Sequence, residues 1–217
     1  MAAKTVRTVS LYARLAPVSA ANSAPLASRR REASRVAILD AALALCREEG
    51  YAKLSIEGIA ARAGVGKQTI YRWWPSKGAV LLEALDREAA GWAAFPDTGD
   101  VVADVRTTIR DVVRFQADPN LGPPLAALIA EAQQDPAIAP LLNERFFRPR
   151  RAPIVERLQR AQRAGQLPET LDVEAVLEVV FGALFHRLLL RSGPLDGAYA
   201  SFVTDTVFAG LAAVEKT

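Results

Sequence analysis

Residues Leu54 to Lys77 read LSIEGIAARAGVGKQTIYRWWPSK, and the spacing within this stretch decides the fold. Ser55 can cap a helix whose apolar residues Ile56, Ile59 and Ala60 share one face, because serine accepts well from the orphan amides of a first turn. Gly64, four residues after the small Ala60, can adopt the left-handed backbone that ends a helix and turns the chain. A second helix follows at once. Val65 and Ile70 are its inward anchors, whereas Lys67, Gln68, Thr69, Tyr71 and Arg72 lie largely on the opposite side. A small residue, a glycine and a branched residue at these positions form a helix-turn-helix, a reader of double-stranded DNA. The aromatic pair Trp73-Trp74 ends the second helix, Pro75 sets the break, and Ser76 and Lys77 open the next one. A cation at a helix start opposes the helix dipole, so Lys77 is expected to face a phosphate.

The run from Val36 to Leu85, with ILDAALALCREEGY followed by IAARAGVGKQTIYRWWPSKGAVLLEAL, resembles the N-terminal domain of the tetracycline-repressor (TetR) family of transcriptional regulators. Farther on, RAQRAGQLPETLD and FGALFHRLLLRSGPLD resemble, more loosely, the C-terminal regulatory domain of an AcrR-like subgroup. The resemblance implies an all-α chain. A three-helix DNA-binding domain over residues 33–78 would be followed by a helical ligand-binding and dimerisation domain over residues 79–217.

Composition agrees. A chain of 217 residues that is 51% hydrophobic can bury a substantial core, and two small helical domains fit better than one large one. No apolar run is long enough to cross a membrane, and no membrane partner is expected. The single Cys46 fits a reducing compartment, hence a cytoplasmic protein. The net charge of +3 is modest, but Lys4, Arg7, Arg14, Arg29, Arg30 and Arg31 all precede the first acid, Glu32. Residues 1–32 therefore read as a disordered basic arm. It admits three roles: contact with phosphate or the minor groove, a targeting peptide, or a solvated tail.

The remaining pattern is helical throughout. Helices are expected over about 34–49, from Ile56, from Lys77, and over 100–117, 123–133, 137–147, 153–164, 173–190 and 195–214. Prolines 119, 123, 124, 136, 140, 149 and 153 are expected to break the middle of the chain into short or kinked segments. The segment Val173–Leu190 is apolar all round, so it must be covered on every side; a second copy of the chain is the economical cover, and a deeply buried central helix in a monomer is the alternative. Gly182, Phe185, His186, Leu189, Phe202 and Phe208 are the expected dimer interface, as the resemblance also implies.

A two-fold dimer presents two recognition helices, so the target is expected to be pseudopalindromic. From family pattern and helix phase, Gln68, Thr69 and Tyr71 are assigned to base edges or adjacent phosphates, and Lys67 and Arg72 to guanine or phosphate. Ser55 and Lys77 are assigned to the DNA backbone. Trp92, Phe115, Leu142, Phe146 and Phe181 lead a wider inward-facing set, with Phe95, Leu128, Ile138, Phe147, Leu158 and Phe185, that could line a pocket for a small lipophilic or aromatic effector or be plain core. The basic run Arg145, Arg148, Arg150, Arg151 admits two readings, a site that receives an anion and, ahead of it, a solvated face. His186 is the lone histidine and Cys46 the lone cysteine, and both fall in helices expected to pack. No catalytic residues, metal or cofactor are expected, and an enzyme is the weakest reading. A constitutive DNA-binding or architectural protein without an effector is the other alternative, favoured by a closed C-terminal core.

Overall fold

The computed structural model describes residues 26–90 and 95–214. Among these residues there is no strand, as the period of the apolar positions requires. In chain order the helices are α1 (Leu26–Glu49), α2 (Ile56–Ala63), α3 (Lys67–Tyr71), α4 (Lys77–Ala89), α5 (Val101–Ala117), α6 (Gly122–Glu131), α7 (Ile138–Leu142), α8 (Arg148–Arg163), α9 (Val173–Leu190) and α10 (Gly197–Val214).

Two buried clusters hold these helices. The first joins Ile38, Leu39, Ala42 and Cys46 of α1 and Ile59, Ile70 and Trp74 of the reader to the nearly enclosed α4. It continues without a gap into Leu125 and Leu128 of α6 and Ile138 and Leu142 of α7. The second gathers Val105, Ile109 and Val113 of α5, Ile154 and Leu158 of α8, Leu177, Val180 and Leu184 of α9, and Ala200 and Val203 of α10. α4 thus shares a core with both the reader and the helices that follow. Gly78 matters here, since a Cβ at that position would lie 2.6 Å from Ile138 Cδ1 and 3.0 Å from the Tyr51 hydroxyl. Only a glycine lets the start of α4 sit this close to α7.

Two expectations about helix limits are corrected. α1 begins at Leu26, not near Ser34, so residues 26–32 of the supposed arm are helical. Arginine and alanine are good helix formers, and the Ser34 hydroxyl donates back to the Arg30 carbonyl oxygen at 2.9 Å. The rest of that arm lies outside the described residues. Pro149 and Pro153 do not break the chain: α7 runs into α8 through a five-residue π turn, Asn143–Phe147. The wider turn shifts the register just before Pro149, and Arg150 Nη1 donates to the Phe146 carbonyl oxygen at 2.8 Å.

Candidate functional site

α2 and α3 form the reader from strictly local causes. Ser55 Oγ accepts from Gly58 N at 3.1 Å and starts α2. Gly64, at φ 66° and ψ 34°, ends it, donating to the carbonyls of Ala60 and Ala61. The Val65 amide also reaches back to Ala60, so the turn is closed before α3 begins. Ile70 is fully buried and fixes the roll of α3. That roll leaves Lys67, Gln68, Tyr71 and Arg72 exposed and Thr69 half-buried. Tyr71 is 51% exposed on this face.

Electrostatic contacts steady this face. Lys67 Nζ lies 2.9 Å from Glu57 Oε1, and the hydrogen bond to Glu57 raises the lysine pKa. Arg62 reaches Glu48 of α1 at 2.7 Å, tying α2 to the core. Arg72 stacks over the Trp73 ring at 5.2 Å. Trp74 is core: it is buried, and its indole nitrogen donates to Glu83 Oε2 at 2.8 Å.

Lys77 departs from its expected surroundings. Its ammonium donates to the Tyr51 carbonyl oxygen at 3.1 Å and lies 4.5 Å from the centre of the Tyr51 ring. A half-buried tie to the turn after α1 accounts for a cation at this helix start without any phosphate. Ser55 likewise serves α2 first, although its hydroxyl proton remains free to donate.

Behind the reader, α5, the π turn, α8 and α9, with Ala89 of α4 and Leu125 of α6, line a partly open cavity of about 270 Å³. Phe115, Phe146 and Phe181 line it, as do Phe95 and Phe147. Phe185, assigned to the dimer interface, also faces this cavity, whereas Leu142, Leu128 and Ile138 are corrections because they are buried in the first core, and Leu158 because it is buried in the second. Trp92 lies outside the described residues. Phe146, Phe147 and Phe185 form a ladder of edge-to-face rings, each step 5.5 Å between centres. Arg150 and Arg151 line the wall instead of belonging to a solvated face. Arg150 Nη2 donates to Asp86 Oδ1 at 2.9 Å, which links the wall directly to α4, and its guanidinium lies 4.2 Å over Phe146.

Sequence reasoning missed the polar members of the wall, Gln116 above all. A signal existed: Val105, Ile109 and Val113 form the buried stripe of α5, and Gln116 falls on that stripe. Asp104 does the same one turn from the helix start. It is fully buried against Arg157, with Nη2 to Oδ2 at 2.9 Å.

The outer faces of α9 and α10 carry Val179, Leu189, Leu190 and Phe202, each more than 40% exposed. Gly182 and His186 share the exposed side of α9, and nothing lies within 4 Å of a Cβ built on Gly182. Phe208 is half-buried against the second core. His186 Nδ1 pairs with the Ser192 hydroxyl at 3.1 Å. Cys46 is enclosed in α1, and burial pushes its thiol up to about 11. Among the described residues no helix is long and apolar enough to cross a membrane.

A capped helix-turn-helix fused through α4 to a cavity-bearing helical unit defines a DNA-binding transcriptional regulator. The family model described as "Bacterial regulatory proteins, tetR family" matches residues 38–84, and "Tetracyclin repressor-like, C-terminal domain" matches residues 95–207. The chain belongs to the TetR family. It is 34% identical to the uncharacterized HTH-type transcriptional regulator YdeS of Bacillus subtilis, over 87% of this chain and 94% of that one. With the DNA-binding transcriptional repressor TetR of Mycobacteroides abscessus it shares 31% identity, over 82% and 93%. The crystal structure of TetR family transcription regulator SCO0332 superposes with a TM-score of 0.66 at 36% identity, covering 80% of this chain and 96% of that one.

Proposed function

We propose that the chain is a homodimeric repressor of a pseudopalindromic operator, acting in the bacterial cytoplasm and released from DNA by a small lipophilic or aromatic ligand. The observation that carries the DNA reading is the exposed row of Lys67, Gln68, Tyr71 and Arg72 on a helix anchored by buried Ile70. Gln68 suits bidentate pairing with adenine, the methyl group of Thr69 suits thymine, and Lys67 and Arg72 suit guanine or phosphate. Ser55 and Lys77 contact the backbone with the donor protons their internal bonds leave over.

The exposed apolar stripe of α9 and α10 supports a two-fold dimer, since monomers rarely leave such a patch uncovered. Two readers so related meet half-sites about 10 base pairs apart, or a multiple of that. The cavity supports an effector over a constitutive DNA binder. Its wall touches α4 through Arg150 and Asp86, and α4 begins beside Lys77, one turn beyond the reader. A ligand that favours one position of α4 by roughly 1 to 3 kcal/mol would lower operator affinity about 5- to 150-fold.

Selection of bound sites from random duplexes yields the operator. Titrating the purified chain against it, with and without small aromatic compounds that bind the cavity, tests the release. Operator affinity unchanged by every such compound contradicts release while leaving DNA recognition standing. Equal affinity for selected and scrambled duplexes contradicts recognition itself.

A further inference from the structure

Resting on the effector-cavity reading above, we infer that the cavity takes an uncharged aromatic molecule of one or two rings bearing a hydroxyl group, with Gln116 as its polar anchor. Gln116 is 5% exposed, lines the cavity, and its amide oxygen has no hydrogen-bond partner. The great majority of buried polar groups are paired, so an enclosed acceptor without a partner, on a side chain that lines the cavity, is where a ligand's donor would be satisfied once the amide turns toward it.

Charge at the wall points the same way. Arg150 is paired with Asp86, Arg151 lies 2.6 Å from Glu174, and Asp111 lies 3.3 Å from Arg114. An ionised ligand would compete with these internal pairs for its counter-charge. Among the described residues, the enclosed polar atoms of lining side chains that lack partners are the amide oxygen of Gln116, an acceptor, and the Nε–H donors of Arg150 and Arg151. A hydroxyl both donates and accepts, whereas an ether or ketone can only accept and leaves the Gln116 amide oxygen unpaired. The edge-to-face phenylalanine ladder suits a flat ring, and about 270 Å³ is just under the roughly 300 to 1,000 Å³ of ordinary ligand sites, so the ring system is small.

The test uses the full chain and three probes of one shape at neutral pH: 2-naphthol, 2-methoxynaphthalene and 2-naphthoate, with binding read by calorimetry. The expected result is 2-naphthol tighter than the ether and the carboxylate by about 10- to 100-fold, the value of satisfying a buried acceptor. Gln116→Leu should shrink the preference for 2-naphthol over the ether to within about threefold, while the ether binds as before. This variant removes an unpaired buried polar group, so its melting temperature should hold. Thr108→Val, on the same wall but with its hydroxyl already bonded to the Asp104 carbonyl oxygen at 3.0 Å, should keep the full preference. Equal binding of alcohol and ether, tightest binding of the carboxylate, or a preference that survives Gln116→Leu would each overturn the anchor and leave the cavity reading intact. No binding of any of the three would overturn the cavity reading and the anchor with it.

Discussion

Replacing Asp104 with asparagine should destabilise the chain by about 3 kcal/mol. Asp104 is fully buried and accepts from the Thr98 amide at 3.1 Å, the Thr98 hydroxyl at 2.7 Å and Arg157 Nε at 3.1 Å. Removing one partner of a buried ion pair costs roughly 3 to 5 kcal/mol, because the other charge stays buried. Arg157 keeps a second carboxylate, Asp97 at 2.9 Å, and this places the loss at the low end. Burial alone would raise the Asp104 pKa, but the Thr98 bonds and then Arg157 outweigh it, and the group sits below its ordinary 3.8. A depressed carboxylate contributes stability that is complete above the ordinary value and is lost as pH falls through the folded one. Urea unfolding of the wild type should therefore show an acid limb below about pH 4 that Asp104→Asn flattens. Asp104→Leu combined with Arg157→Met should cost less than Asp104→Asn alone. A loss under about 1 kcal/mol, or an unchanged acid limb, would refute the reasoning.

On the DNA side, Gln68→Ala or Tyr71→Ala should lower affinity for the selected operator by about 1 to 3 kcal/mol and barely alter binding to random duplex. Equal losses on both would remove these residues from base reading. Lys77→Ala should lower the melting temperature through its lost tie to Tyr51, and should flatten the salt dependence by about one phosphate contact; a slope unchanged in titrations at several salt concentrations would leave Lys77 with a purely internal role. Phe202→Asp should cost about 2 kcal/mol per copy and about 4 kcal/mol per dimer, so sedimentation at micromolar concentration should give monomers where the wild type gives dimers. Cys46 should resist thiol reagents in the native chain, its thiol held up to about 11, and labelling at the rate of a free cysteine would contradict its enclosure.

The reader was legible because its determinants are local: a serine cap, a left-handed glycine and an inward isoleucine all act within a turn or two of one another. α9 was legible for a similar reason, as an apolar helix without a polar face. What escaped the sequence depends on contacts between distant residues. Arg150 and Asp86 are 64 positions apart, and nothing along the chain marks an arginine in a basic run as a wall of the cavity. The tie of Lys77 to the carbonyl and ring of Tyr51 depends on how the turn after α1 folds back, which its place at a helix start does not announce. The prolines of α8 signalled breaks that a π turn absorbs. Phe185 shows the limit of helical phase: it lies between the buried and exposed sides of α9, and only the packing of α8 against that helix decides which way it faces. α1 extends over Arg29–Arg31 with no apolar stripe there to announce it.

The central claim is that two copies of this reader, related by a two-fold axis, recognise one operator. Selection of bound duplexes from a random pool by the purified full chain tests it most directly. The account predicts enriched sequences with two inverted half-sites centred about 10 base pairs apart, or a multiple, and protein bound at two chains per site. Enrichment of a single asymmetric half-site, or none over the starting pool, would contradict it.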